Sequence, residues 1–284
     1  MPPELNQRVL GIMAKYWEAG QVKTRLAGSL PPQPMRPRQS EKSNQQPPES
    51  GEDASPMDLA AKVHERFVRH LLTEMSVAGD ERQIVGAPVQ HLAQFIAVVA
   101  DGAYGQWQVS DQGAGTLGDR MKNWFAGQLF EPGECDSEKG VQENLTWDKS
   151  CVLIGADCPL LSQSDVEEAW LRLEHHEMVI GPAFDGGYYL IGLRPGKRLL
   201  HRTPGTRVTP SVLASLFDGI AWSTDSVFEQ THAAAKKAGF RVAVLEPRHD
   251  VDTADDLRRL VDELRDLGAR GHRLLNDLGG IQLT

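Results

Sequence analysis

Short apolar runs alternate along this chain with longer stretches in which apolar residues recur every three or four positions, the pattern of strands separated by helices. The run at 9–14 predicts a first strand. Residues 151–155 form a second unbroken run that leads through Ala156 to Asp157. That run predicts a buried parallel strand with an aspartate delivered at its carboxyl end. Ser162 with Asp165, or Ser164 with Glu167, fits a capping box for a helix whose apolar face is Val166, Ala169, Trp170 and Leu173. Residues 95–100 predict a further buried strand. Residues 178–183 and 188–193 read as two strands joined through Asp185, Gly186 and Gly187, and a hairpin turn alone would account for those three. A last strand at 241–245 precedes Asp250 and Asp252. Thr253, with Asp256 three positions on, caps a helix facing the core through Leu257, Leu260, Val261 and Leu264. Helical spacing also marks Leu59 to Met75, Met121 to Leu129, a short helix at 212–216 and another at 227–238.

The polar stretches divide this pattern. From 31 to 56 almost no apolar residue could offset the entropy of ordering, so an insertion is predicted there, with a second variable loop at 131–149. Residues 5–270 then read as one domain, followed by a C-terminal tail at 271–284. At 284 residues the chain is long enough for a full core. A net charge of -9 argues against nucleic acid as a partner and against a membrane surface. No window reaches the ~18 apolar residues of a spanning helix, and no secretory leader is evident, so a cytoplasmic location is expected. Cys135, Cys151 and Cys158 make neither a disulfide framework nor a zinc motif.

Candidate chemistry gathers after the strands. In open α/β sheets ligands sit beyond the carboxyl ends of the strands, where Asp157 falls; the alternative is a cap on the turn before Pro159. Lys15, Gly20, Lys23 and Arg25 follow the first strand, and a glycine among cations is one way to bring charge and backbone amides to a phosphate. A solvated basic loop explains the same residues. Gly113, Gly115 and Gly118 match Gly-x-Gly-x-x-Gly, but the strand and the glycines are too far apart for a dinucleotide fold. Gln112 beside them carries an amide that donates and accepts in one plane, as reading a nucleobase edge requires. Asp250 and Asp252 alternate before a helix and could serve only its dipole. They could also meet Asp157, and hard carboxylates over a phosphate loop suit Mg²⁺ or Mn²⁺.

Six motifs occur in order between Met13 and about Leu267. They are Lys-x-x-x-x-Gly-x-Val-Lys-Thr-Arg-Leu, Gln-Gly…Leu-Gly-x-Arg-Met, Ile-Gly-x-Asp-x-Pro-x-Leu, Gly-Pro-Ala-x-Asp-Gly-Gly-Tyr-Tyr-Leu-Ile-Gly-Leu, Leu-Phe-x-Gly-Ile-x-Trp-Ser-Thr and Asp-Val-Asp-Thr-x-x-Asp-Leu. In this series the chain resembles the radical-SAM/selenodomain-associated, glycosyltransferase-A-like transferase family, itself similar to guanylyltransferases acting on phospholactate-type acids and on molybdopterin. The resemblance implies a three-layer Rossmann-like α/β fold of the nucleotide-diphospho-sugar transferase (GT-A) type with a mixed, mostly parallel sheet. It implies a nucleotide or nucleotide-sugar donor, a small-molecule acceptor, and Mg²⁺ or Mn²⁺. Lys15, Gly20, Lys23 and Arg25 would cradle phosphate, and Gln112, Gly118 and Arg120 would approach base and ribose. Asp157 would bind metal with Asp250 or Asp252, while Asp185, Gly186 and Gly187 would form the acceptor loop, Asp185 being a candidate base. Family members usually carry prolines where this chain has Trp17 and Ala19, which makes its first loop less rigid. Glycosyl transfer is slightly favoured over nucleotidyl transfer, and a non-catalytic nucleotide-binding module is the competitor from another class.

Overall fold

The computed structural model describes residues 6–30, 54–100, 103–130, 149–194 and 208–279. The predicted insertion at 31–56 falls outside them but for its last three residues, and the loop at 131–149 but for Lys149. The chain divides into two compact units, residues 1–16 with 67–250 and residues 17–66 with 251–284.

The first unit is built on a seven-stranded sheet ordered β3-β2-β1-β4-β6-β5-β7. Its strands are β1 (Gln7–Lys15), β2 (Glu81–Ala87), β3 (Gln108–Asp111), β4 (Lys149–Gly155), β5 (Met178–Pro182), β6 (Tyr188–Leu193) and β7 (Val242–Val244). All neighbours are parallel except β6, which runs antiparallel to both β4 and β5. The β5–β6 pair is the predicted turn-joined pair. Val9, Leu10 and Ile12 on β1 and residues 151–154 on β4 are buried on both faces, as central parallel strands must be.

Alternate residues of each strand face different helices. Beneath one face lies α4 (Leu117–Leu129), with α6 (Pro210–Phe217) and α7 (Val227–Lys237) beside it. Trp124 of α4 packs so closely on β1 that a Cβ at Gly11 would lie 2.6 Å from its ring, and its Nε1 donates to Gln83 Oε1 at 3.1 Å. The other face carries α3 (Leu92–Ala100) and α5 (Gln163–Leu173). There Phe95 fills the space left by Gly86, and the buried Trp170 donates to Ser150 O at 3.1 Å. The result is the expected three-layer α/β arrangement.

Residues 95–100 are a correction: they belong to helix α3, not to a strand. A short apolar run fits either element, and here only Phe95 and Val98 are buried while Ile96 is 54% exposed. The strand actually present is β2, which opens on the polar Glu81, Arg82 and Gln83 and so hides its signal.

The second unit contains α1 (Thr24–Ser29), the first part of α2 (Pro56–Glu74), α8 (Ala254–Asp266) and α9 (Ala269–Gly279). Thr253 and Asp256 form the predicted capping box of α8. Residues 271–279 of the expected tail are helical, and α9 packs on α8. A Cβ at Gly271 would fall 2.0 Å from Leu264 O, so a glycine is what allows that approach.

Candidate functional site at the carboxyl edge of the sheet

After β1 the chain passes to β2 and β3 on one side and then returns to β4 on the other, so strand order reverses between β1 and β4. That reversal is where open α/β sheets place ligands. The register pairs Met13 with Gly155. Two residues later come Lys15, the last residue of β1, and Asp157, in the turn after β4; they lie at the same edge and both are exposed. The turn of Asp185, Gly186 and Gly187 joins the end of β5 to the start of β6 at this edge as well.

Residues 246–249 are fastened to the edge at several points. Tyr189 donates its hydroxyl to Glu246 O at 3.0 Å, and its ring occupies the space that a side chain at Gly181 would take. Arg248 N–H donates to Pro182 O at 3.0 Å, Phe184 N–H donates to Arg248 O at 3.0 Å, and the Arg248 guanidinium is paired with Asp165 at 2.5 Å. Cys158 Sγ donates to His249 O at 3.0 Å. This last bond brings the residue after Asp157 against the residue before Asp250, so two carboxylates come from neighbouring loops. Among the described residues no group of three or more His, Cys, Asp or Glu side chains forms a metal cage. Two carboxylates from these loops would suit a hard cation that keeps waters and takes its remaining oxygens from a phosphate, as Mg²⁺ does. They do not fit a structural zinc site.

The other expected nucleotide residues of this unit have structural tasks. Gln112 is 5% exposed and donates both amide hydrogens to backbone, at 3.0 Å to Ala14 O and 2.9 Å to Val85 O. Its Oε1 accepts from Arg120 at 3.3 Å. It offers no donor to a base, because the ends of β1 and β2 have taken both. Arg120 also donates to Gly115 O at 3.2 Å and so braces the glycine loop. Gly118 is covered by Trp222, whose ring lies 2.4 Å from where a Cβ would stand. Its missing side chain admits an indole.

Asp185 is exposed, and its Oδ1 accepts the Gly187 N–H at 2.8 Å, closing its own turn. Gly186 takes φ +90°, and a Cβ there would sit 1.9 Å from Asp225 O. Phe228 N–H donates to Gly186 O at 2.9 Å. The segment at 221–226 therefore leans on both glycine motifs, through Trp222 on Gly118 and Asp225 on Gly186. Ser223 within it adopts φ 65°, a conformation that non-glycine residues hold only when neighbours enforce it. Sequence reasoning gave Trp222 and Asp225 no role. The only available signal was Trp222 within a motif.

In the second unit Gly20 lies in a turn at φ +78° with open space around it. Lys23 takes a left-handed conformation before α1, and its side chain is 3% exposed. Its ammonium donates to Val251 O at 2.5 Å and Asp252 Oδ1 at 3.1 Å, while Arg25 reaches Asp252 Oδ2 at 3.5 Å. Asp252 is thus held by two cations inside this unit, whereas Asp250 belongs to the first unit.

The sheet order and this edge define a three-layer, Rossmann-like α/β fold. The family model described as "Uncharacterized protein conserved in bacteria (DUF2064)" matches residues 81–224, just over half of the chain, and the chain belongs to that family. It is similar over 98% of its length to 97% of a Desulfovibrio desulfuricans G20 protein provisionally named a nucleotide-diphospho-sugar transferase, with 26% identity and a TM-score of 0.69. Remoter similarities include the 4-diphosphocytidyl-2C-methyl-D-erythritol synthase of Anaerococcus prevotii DSM 20548, at 11% identity, 92% and 99% coverage and a TM-score of 0.48. Another is the manganese complex of Rv0371C from Mycobacterium tuberculosis H37Rv, at 14% identity, 90% and 99% coverage and a TM-score of 0.41. No curated protein matches the chain.

Proposed function

We propose that the protein is a divalent-metal-dependent transferase with a nucleotide donor, and that the donor is a nucleotide-sugar. The observation that carries this reading is that Lys15 ends β1 and Asp157 follows the adjacent β4 at the strand-order reversal, with the loop of Asp250 tied to that of Asp157 by the Cys158–His249 bond. The full-length similarity to a protein named for nucleotide-diphospho-sugar transfer supports it.

Asp157 and Asp250 would hold Mg²⁺ or Mn²⁺, which neutralises diphosphate charge when bound. Lys15 adds a positive charge at the end of β1 for the same oxygens. The rigid turn of Asp185, Gly186 and Gly187 orients the acceptor, whose hydroxyl oxygen forms the new bond to the anomeric carbon. The bond from that carbon to the diphosphate oxygen breaks, and the nucleoside diphosphate leaves with the electron pair. The hydroxyl proton passes to water or to Asp185 Oδ2, since Oδ1 is engaged by Gly187. Orientation and charge neutralisation, more than a strong base, lower the barrier.

The test follows the leaving group. Incubation with nucleotide-sugars and Mn²⁺ is expected to release nucleoside diphosphate, and Asp157→Ala is expected to abolish the release. Pyrophosphate release from nucleoside triphosphates instead would replace glycosyl by nucleotidyl transfer. Neither product, with nucleotide affinity intact in Asp157→Ala, would leave a binding module.

A further inference from the structure

Phe184 stands in water beside this site. It is 59% exposed, although burial of a phenyl ring is favourable. A single exposed apolar side chain is commonplace, but this one is held in place. Its N–H donates to Arg248 O at 3.0 Å, and Ala183 before it bridges to Arg248 in the parallel sense. Its ring lies on His249 with centroids 4.1 Å apart and planes 26° from parallel. His249 is fixed in turn by the Cys158 thiol on its carbonyl. One face of the phenyl is therefore backed and oriented while the ring remains open to solvent. Phe184 immediately precedes Asp185, and His249 immediately precedes Asp250.

The charges around the ring narrow what can lie on it. Asp185 is adjacent, the backbone of Asp225 presses on Gly186, and Asp157 and Asp250 flank the Cys158–His249 bond. The nearby Arg248 is already paired with Asp165, and among the described residues the exposed Asp185 and Asp225 form no ion pair, so a divalent cation on Asp157 and Asp250 would leave both of their charges in place. A phosphorylated acid would meet like charge here, whereas a neutral ring would not. We infer that Phe184, backed by His249, is the platform on which the acceptor rests, and that the acceptor is a neutral compound presenting an aromatic ring or the apolar C–H face of a sugar ring. The inference rests on the transferase reading and specifies its acceptor.

The probes are phenyl β-D-glucopyranoside, which has both kinds of face, and 2-phosphoglycerate, which has neither. Saturation-transfer NMR on the full chain compares wild type, Phe184→Ala and Phe184→Tyr, while UDP and GDP affinity with Mn²⁺ is measured on the same samples. The glucoside signal is expected in wild type, weaker by about fivefold in Phe184→Ala, the size of one ring-stacking contact, and restored in Phe184→Tyr. 2-Phosphoglycerate is expected to give no signal, and nucleotide affinity is expected to stay within about twofold. A glucoside signal absent from wild type, or unchanged by Phe184→Ala, overturns the inference. So does preferential binding of 2-phosphoglycerate. Nucleotide affinity that ignores metal and Asp157→Ala, beside a Phe184-dependent glucoside signal, would instead break the transferase reading and leave the platform standing.

Discussion

Replacing Gly186 by alanine tests whether the turn of Asp185, Gly186 and Gly187 is a rigid part of the site. At φ +90° an L-residue costs about 1–2 kcal/mol from its own backbone. The added methyl would also stand 1.9 Å from Asp225 O and 2.4 Å from Asp225 C. Those are backbone atoms of a segment fixed by Gln230, whose Oε1 accepts from Ala221 N–H at 2.8 Å and whose Nε2 donates to Ser226 Oγ at 2.7 Å. Overpacking of this kind costs about 1–3 kcal/mol. The expected loss is about 2–5 kcal/mol, a large part of the ~5–15 kcal/mol that holds a typical protein folded. Gly187→Ala is the internal control. Its Cβ would meet only the end of the Asp185 side chain, at 3.1 Å, and its backbone is not left-handed, so about 0–1 kcal/mol is expected. Urea unfolding gives the totals. Hydrogen exchange at the amides of Gly186, Gly187 and Phe228 localises the effect. Equal losses in the two variants, or a Gly186→Ala loss under about 0.5 kcal/mol with unchanged exchange, would refute the rigid turn.

Gln112→Leu removes both hydrogens given to Ala14 O and Val85 O. It is expected to cost about 1–3 kcal/mol in unfolding experiments without changing which nucleobase is preferred in a binding panel. Thr253→Ala removes the cap of α8 and should cost about 1 kcal/mol. Burial works to raise the Asp256 pKa, but hydrogen bonds from Thr253 and Asp252 outweigh it and hold the carboxyl below the ordinary 3.8. That stabilisation is present above pH 3.8 and lost as pH falls through the folded value, so the deficit of Thr253→Ala should shrink in acid unfolding curves. Burial pushes the Cys151 thiol up to about 12. Alkylation at pH 8, mapped by mass spectrometry, should spare it in the folded protein and modify it in urea.

The legible parts of this sequence were those with a strong local period or a local cap. β1 and β4 are buried on both faces and therefore announce themselves as unbroken apolar runs. The boxes at Ser162 and Thr253 close within a few residues, so the start of α8 could be read directly and that of α5 narrowed to Ser162 or Ser164. Period failed where exposure was mixed. Helix α3 looked like a strand because Ile96 and Val99 sit on its outer side unmasked by polar residues. β2 escaped because its polar first turn of sequence precedes the buried part.

The site was legible as an edge but not as a set of partners. That Asp157 would end a strand followed from the run before it. That Gln112 would give its amide to the ends of β1 and β2 did not, since those carbonyls lie 98 and 27 residues away. Gly118 invited a ribose in the sequence, but the ring over it belongs to Trp222. Phe184 and His249 meet only because a bridge forms beyond the strand ends of β5 and β7. Long-range packing of this kind leaves no periodic trace.

Calorimetric titration with UDP-sugars and GDP-sugars, with and without Mn²⁺, on wild type and Asp157→Asn, tests the central claim most directly. For one donor class, affinity is predicted to rise by about tenfold or more with the metal, ~1.4 kcal/mol, and the rise to vanish in Asp157→Asn. Affinity that is indifferent to both the metal and the substitution would contradict a metal-dependent donor site at the ends of β1 and β4.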